Sequence, residues 1–154
     1  MNGGRRPYLF YTVLYASAFV LDFCWESWHG LLYKAHQELP ASVYVPMMVQ
    51  MALLDALSIV GMQLCTALFA RSLVWRLSGV NVILFSLAGL LPAGIIEYIS
   101  VFRLHLWLYT PAMPTVFGVG LTPLLQLPLT GLVALLVARA VAPLTDDPEI
   151  TRNR

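Results

Sequence analysis

Long apolar stretches separated by short polar connections are the main pattern of this chain. The stretches cover about 20 or more residues each, at 8–32, 45–70, 80–99 and 116–141. A helix rises about 1.5 Å per residue, so each stretch can cross a hydrocarbon core of about 30 Å. The sequence therefore predicts an all-α fold, a polytopic integral membrane four-helix bundle in residues 1–142, followed by a polar tail at 143–154.

Composition strengthens this interpretation and excludes other classes of protein. Apolar residues make up 59% of the chain and charged residues only 11%, whereas a soluble domain carries about a quarter charged residues. The net charge is +1, so no electrostatic attraction to nucleic acid is expected. Cys24 and Cys65 fall in different stretches, at depths that predict no disulfide between them.

The positions of the cationic residues predict the orientation of the bundle. Most of them flank the start of the first stretch, the second connection and the end of the fourth stretch: Arg5, Arg6, Arg71, Arg76, Arg139, Arg152 and Arg154. Lys34 and Arg103 lie on the other side. By the positive-inside rule, both termini and the tail are expected to be cytoplasmic. In a bacterium this would be the cytoplasmic (inner) membrane.

The beginning of the chain also resembles a secretory signal peptide. Arg5 and Arg6 precede an apolar stretch and the small residues at 16–18, which is the order found at cleavage sites. The apolar stretch continues past these small residues, and this favours an uncleaved first helix.

The polar residues of the first stretch lie on one helical face. At about 100° per residue they fall within an arc of about 60°: Tyr8, Tyr11, Tyr15, Asp22, Glu26, His29 and Tyr33. A carboxylate facing lipid costs about 2.5–3.5 kcal/mol at a helix centre. This face is therefore expected to contact other helices or a cavity. Helix packing alone is the alternative explanation.

Each predicted helix also brings a polar group to a similar depth. These groups lie about 20–27 Å from the cytoplasmic ends of their helices: Asp22, Glu26, Asp55, Glu97 and Gln126. A common depth predicts a shared polar pocket that opens towards the extracytoplasmic side.

Glu26 and His29 have the spacing of an acid–base or metal-ligand pair. We expect them to be catalytic together with Asp55 and Glu97. Helical di-iron proteins use Glu-x-x-His pairs, but they need two of them, and this chain has one. A divalent metal held by these four residues is therefore an alternative. We expect the following residues to bind the substrate: Asp22, Tyr15, Trp25, Trp28, Tyr33, Thr122, Gln126 and His105.

Carboxyl groups gathered in an apolar site cannot all be ionised, so an acid and a base lie side by side. The sequence thus favours a protein that binds or transforms a lipid-soluble small molecule by acid–base chemistry. A proton- or metal-coupled transport subunit is an alternative, because the same groups can relay protons. Two further alternatives are a non-catalytic assembly subunit of a larger membrane complex and a homo-oligomer.

Two further features concern the later connections. Residues 102–109 alternate polar and apolar side chains, and their Trp, Tyr and Arg predict a short segment at the membrane interface. Pro92, Pro123 and Pro128 are expected to free backbone carbonyls within helices.

Overall fold

The structure, a computed structural model, describes residues 5–73 and 75–142, and the predicted tail lies outside them. Within these residues the chain is mostly helical. The helices are α1 (Arg5–His29), α2 (Ala41–Ala70), α3 (Gly79–Tyr98) and α4 (Leu121–Val141). All four are long and apolar enough to span a membrane. The prediction of four long apolar helices is confirmed for this part of the chain.

The fourth helix begins later than the hydropathy pattern predicts. Residues Thr115–Val116 and Val119–Gly120 form a small antiparallel hairpin, β1 and β2, before α4 starts at Leu121. Phe117 and Gly118 occupy the turn with φ values of 51° and 80°, the positive angles that a tight two-residue hairpin requires. An apolar composition alone does not distinguish this hairpin from a helical turn.

The later start of α4 corrects one proline prediction. Pro123 falls in the first turn of α4, where backbone N–H groups have no helical partner in any case. It therefore frees no carbonyl. Pro128 and Pro92 do lie inside α4 and α3, respectively.

The helices form a bundle in which α1 lies diagonally opposite α3. α1 packs against α2 and α4, and α3 contacts the same two helices from the other side. An apolar core fills the half of the bundle near the start of α1. It contains Phe10, Leu14, Ala18, Ala56, Ile59, Phe85, Ala134, Leu135 and Ala138.

Gly131 allows the closest approach within this core. A Cβ atom added there would lie 3.0 Å from Cζ of Phe85 on α3 and 3.2 Å from Cγ1 of Ile59 on α2. The absence of a side chain lets three helices meet at this level.

The connection between α2 and α3 closes this end of the bundle. Trp75 is buried, and the Arg139 guanidinium lies 5.1 Å from the centre of its ring. Arg139 also donates to the carbonyl oxygen of Trp75. The Gln63 side chain donates to the carbonyl oxygen of Leu73 at 3.2 Å. We call this the closed end.

At the opposite end, two connections pair with each other. The N–H of Lys34 donates to the carbonyl of Leu108 at 2.9 Å, and the N–H of Thr110 donates to that of Leu32 at 2.8 Å. Tyr33 and Tyr109 form the bridge between them. The alternating segment at 102–109 thus begins with a π-helical turn, Ile99–Arg103, and ends as the partner of the first connection. This pairing turns Tyr109 towards the bundle.

Candidate functional site

Four helices each contribute a polar side chain to one place in the bundle. The Nε2 of Gln126 on α4 donates to Oε1 of Glu26 on α1 and to Oδ2 of Asp55 on α2, each at 2.8 Å. Glu97 on α3 faces the same cavity and is close enough to Glu26 for their charges to interact. We call these residues, with His29, the polar cluster.

Glu97 is held by two tyrosines from the paired connections. Its Oε1 accepts hydrogen bonds from the hydroxyls of Tyr33 at 2.9 Å and Tyr109 at 2.6 Å. The Tyr109 hydroxyl accepts in turn from the N–H of Gly120 at 2.9 Å. This chain of bonds ties α3 to the connections on both sides of the cluster, so the carboxyl is fixed in position.

The surroundings of both tyrosines favour the protonated hydroxyl, which acts as a hydrogen-bond donor. Burial raises the pKa of Tyr33 far above its ordinary value, and the neighbouring Glu97 raises it further. Burial and the hydrogen bond to Glu97 also raise the pKa of Tyr109. A carboxylate that accepts two such hydrogen bonds is stabilised in its position.

His29 lies against the cluster with its ring nitrogens unoccupied. Its side chain is buried, and its Nδ1 lies 3.6 Å from Oε2 of Glu26, too far for a hydrogen bond. Neither ring nitrogen has a hydrogen-bond partner among the described residues. His29 lines the cavity, so its ring belongs to the wall against which a bound molecule would pack.

A cavity of about 880 Å³ extends from the cluster between α2 and α3. We call it the groove. Its walls below the cluster are formed by Ser58, Gly61, Met62, Cys65, Thr66 and Phe69 of α2 and Leu84, Leu87, Ala88, Leu91 and Pro92 of α3. Several of these residues are exposed, including Gly61, Cys65 and Leu91. The groove is therefore open along the seam between the two helices.

Aromatic rings cover the end of the groove at the polar cluster. The Tyr33 ring lies 6.0 Å from Trp107 and 5.5 Å from His36, and all three residues line the cavity. Tyr44 supports them by donating to the carbonyl of Ser27 at 2.9 Å. A Cβ atom at Gly30 would lie 2.7 Å from this hydroxyl, so a glycine there lets α2 approach the end of α1.

The structure brings together six of the predicted site residues. The predicted catalytic residues Glu26, His29, Asp55 and Glu97, together with Tyr33 and Gln126, all line the groove near its polar end. The lining includes none of the other described residues that we expected to bind a substrate: Asp22, Tyr15, Trp25, Trp28, Thr122 and His105.

Asp22 lies near the cluster but outside the groove. It is fully buried, and Thr130 and Gln126 of α4 are close enough to influence it. Neither of its carboxyl oxygens has a hydrogen-bond partner of normal geometry among the described residues. It is therefore a buried group within the bundle, behind the groove wall.

The remaining predicted residues lie elsewhere. Tyr15 packs against the apolar core, and Trp25 and Trp28 contact each other at 5.4 Å between ring centres. The Thr122 hydroxyl lies 3.1 Å from the sulfur of Met113, and His105 is exposed.

The exposure of Tyr8 differs from the prediction that the whole polar face of α1 contacts other helices or a cavity. Its side chain is 78% exposed, although the helical wheel places it with the buried acids. The buried positions in the first turns of α1 are Phe10, Leu14 and Ala18, which follow a four-residue spacing and leave Tyr8 outside the contact.

Sequence reasoning missed Tyr109, His36 and Tyr44 as parts of the site. The alternation at 102–109 does place Trp107 and Tyr109 on one side, but the same pattern suits a segment at a membrane surface. Only the pairing with residues 32–34 directs Tyr109 to Glu97.

The predicted metal ligands do not form a ligand set. Within the described part of the chain, no group of three or more His, Cys, Asp or Glu side chains is arranged to hold a metal ion. Gln126 occupies one oxygen each of Glu26 and Asp55, and the tyrosines occupy one oxygen of Glu97. The cluster is thus organised by hydrogen bonds between protein groups.

Comparisons of this chain with protein-family models, with curated proteins and with solved structures find no match. The geometry of the polar cluster and the groove is therefore the basis for the function proposed below.

Proposed function

We propose that this chain is an integral membrane protein that binds a lipid-soluble molecule in the groove and acts on it by acid–base chemistry at the polar cluster. One observation carries the proposal. Three carboxyl groups and an imidazole, contributed by three helices, meet at the end of an apolar groove of about 880 Å³. Ligand sites are commonly mostly apolar cavities of about 300–1,000 Å³ with a few convergent polar groups.

Exposed apolar side chains support the membrane location. Large hydrophobic residues are exposed on every helix, including Val20, Leu57, Ile83 and Leu136. A soluble monomer rarely exposes contiguous apolar surface on this scale. We propose that lipid covers this surface and that both termini are cytoplasmic, with the groove's polar end near the extracytoplasmic side.

The cluster has the parts that proton transfer requires. Glu26 and Asp55 share one amide donor, and two carboxyls held so closely in an apolar site share a proton more readily than they both ionise. The protonated carboxyl can give a proton to the bound molecule, while the carboxylate or His29 takes one from it. The protons balance within the site, so this step needs no co-reactant.

The closed end of the bundle argues against a transport path. The bundle interior on that side is filled by an apolar core that includes Phe10, Leu14, Phe85, Leu135 and the buried Trp75, and none of these residues lines the groove. Gln63 and Thr66 are buried there, but each donates a hydrogen bond to a backbone carbonyl. A groove that opens sideways between α2 and α3 and has an apolar lining below the cluster suits an apolar substrate better than a polar path through the bundle.

Isosteric substitutions at the cluster test the proposal. Glu26→Gln and Glu97→Gln keep the size of each side chain and remove its acid–base function. We expect each to lower turnover by about 10²–10⁴-fold, the usual contribution of a general acid or base. Membrane insertion and yield should be unchanged.

The measurement uses the detergent-purified full chain, incubated with a total lipid extract of its host membrane. Mass spectrometry before and after incubation identifies species that the wild type consumes and forms. Glu38→Gln is the matched control, because Glu38 is exposed in the first connection. The proposal fails if the wild type changes no species, or if both cluster variants behave as wild type does. The cluster would then be a packing element, as expected for an assembly subunit.

A further inference from the structure

The groove has the length of an extended hydrocarbon chain. Its lining on α2 runs from Asp55 to Phe69 and on α3 from Glu97 to Leu84. At about 1.5 Å per residue, this is about 20 Å along either helix. A bilayer's hydrocarbon core is about 30 Å thick, so a chain of this length would extend past the middle of the membrane.

Below the cluster, the described lining offers no free polar group to a ligand. The Ser58 hydroxyl donates to the carbonyl of Leu54, and the Thr66 hydroxyl donates to that of Met62, each at 2.9 Å. The remaining described side chains there are apolar or a thiol. This part of the groove therefore suits an apolar tail.

The charges at the polar end select against an anionic head group. The lining contains Glu26, Asp55 and Glu97, and none of the described lining residues is Lys or Arg. A phosphate or carboxylate would have no Lys or Arg partner among these residues and would be repelled by any ionised acid of the cluster. Carboxyl oxygens favour a hydrogen-bond donor instead.

Two buried polar groups of the lining lack partners and define the head group further. Both ring nitrogens of His29 and the Nε1 of Trp107 have no hydrogen-bond partner among the described residues. An indole N–H can only donate, so Trp107 needs an acceptor. An ammonium cannot accept a hydrogen bond. A hydroxyl can donate to a carboxylate and also accept from Trp107 or His29.

We propose that the groove takes a single-chain lipid alcohol, with its hydroxyl at the polar cluster and its chain between α2 and α3. This inference rests on the proposed function and names the substrate class of the same site. The hydroxyl supplies both hydrogen-bond roles that the unpartnered lining groups and the carboxyls require.

Two native cysteines give a direct test. Cys65 lines the groove, whereas Cys24 is exposed on α1 and is not part of the lining. The detergent-purified wild-type chain is alkylated with a small apolar maleimide, and each cysteine is followed by peptide mass spectrometry. The competitors are hexadecanol, hexadecylamine, hexadecanoic acid and octanol.

We expect hexadecanol to slow alkylation of Cys65 without changing that of Cys24. At equal concentration the amine and the acid should protect about tenfold less, since each loses at least one hydrogen bond of the site. Octanol should not protect, because its chain does not reach Cys65. Equal protection by the acid or the amine overturns the assignment of the head group, and equal protection by octanol overturns that of the chain.

A substitution at Gly61 provides an independent second measurement. Gly61 lines the groove, and a Cβ atom there meets nothing within 4 Å, so a larger side chain would fill the groove without displacing a helix. We expect Gly61→Phe to abolish photolabelling by a hexadecanol that carries a diazirine at its tail. Leu64→Phe, at an exposed position outside the lining, should retain it.

The outcomes separate this inference from the proposed function. If hexadecanol does not protect Cys65 but Glu26→Gln still abolishes turnover of another lipid, only the alcohol assignment is overturned. If no competitor protects Cys65 and neither cluster variant alters turnover, both proposals are overturned. Retention of photolabelling in Gly61→Phe would overturn the location of the chain.

Discussion

At the scale of single residues, Gln126 is the centre of the polar cluster. Its two amide hydrogens satisfy carboxyl groups on two other helices, Glu26 and Asp55. Without this amide, Glu26 and Asp55 would each lose a hydrogen-bond donor. A buried acceptor that loses its donor is destabilised by about 1–3 kcal/mol, so the amide holds together a cluster that would be unfavourable in its absence.

Gln126→Leu should therefore lower the free energy of unfolding by about 1–3 kcal/mol. The loss should shrink in an Asp55→Asn background, because that change removes one acid and supplies a new amide donor to Glu26. The measurement is a double-mutant cycle, in which denaturant titration in detergent gives the free energy of unfolding of each purified variant.

Gln50→Leu is the matched control for this cycle, since Gln50 is exposed on α2. It should leave stability nearly unchanged. Equal losses for Gln126→Leu in both backgrounds would show that Gln126 acts through packing and not through its two hydrogen bonds.

At the scale of helices, close packing at glycine positions decides which seams of the bundle are tight and which are open. Gly131 lies where α4 meets α2 and α3, and an added Cβ would press against Phe85 and Ile59. Gly61 lies on the open seam between α2 and α3, where an added Cβ meets nothing within 4 Å. The two glycines are alike in sequence context, since both lie inside apolar helices.

Gly131→Val and Gly61→Val form a matched pair that tests this difference. The first should lower the free energy of unfolding by about 1–3 kcal/mol through overpacking. The second should leave it nearly unchanged, because the same branched side chain finds open space. Thermal unfolding of the purified variants in one detergent measures both, and equal losses would contradict the described seams.

The sequence predicts the presence of each helix more reliably than it predicts the residues at which the helix begins and ends. All four apolar stretches contain a long helix, as expected for apolar runs that are long enough to span a membrane. The start of α4 differs because residues 115–120 are apolar enough to continue a helix but contain the positive φ angles of a hairpin turn. Local hydropathy carries no information about that choice.

At the scale of the whole molecule, the bundle has two unlike ends. Arg71, Arg76 and Arg139 lie at the closed end, where Arg139 contacts Trp75. Lys34 and Arg103 lie at the opposite end, near the polar cluster and the paired connections. Cytoplasmic segments of membrane proteins carry an excess of cationic residues. We therefore expect the closed end to face the cytoplasm.

Cysteine accessibility in intact cells tests this orientation. In a background in which Cys24 and Cys65 are replaced by Ser, Lys34→Cys should react with a membrane-impermeant maleimide added outside. Arg71→Cys should react only after the membrane is permeabilised. Both positions are exposed in the structure, so burial does not account for a difference. The opposite labelling pattern would place the groove's polar end on the cytoplasmic side.

The amino-acid sequence alone is enough to predict four long apolar helices and a similar level for their polar residues, because both follow from the length of the apolar runs and from helical rise. It placed Glu26, Asp55, Glu97 and Gln126 at one level without showing which of them touch.

The contacts within the site appear only in the folded bundle: Gln126 joins Glu26 to Asp55, Tyr109 reaches Glu97, and the open seam lies between α2 and α3. These features depend on how helices are rotated about their axes and on how two distant connections pair. Such choices arise from contacts between residues far apart in the chain, and no local pattern of polar and apolar positions specifies them.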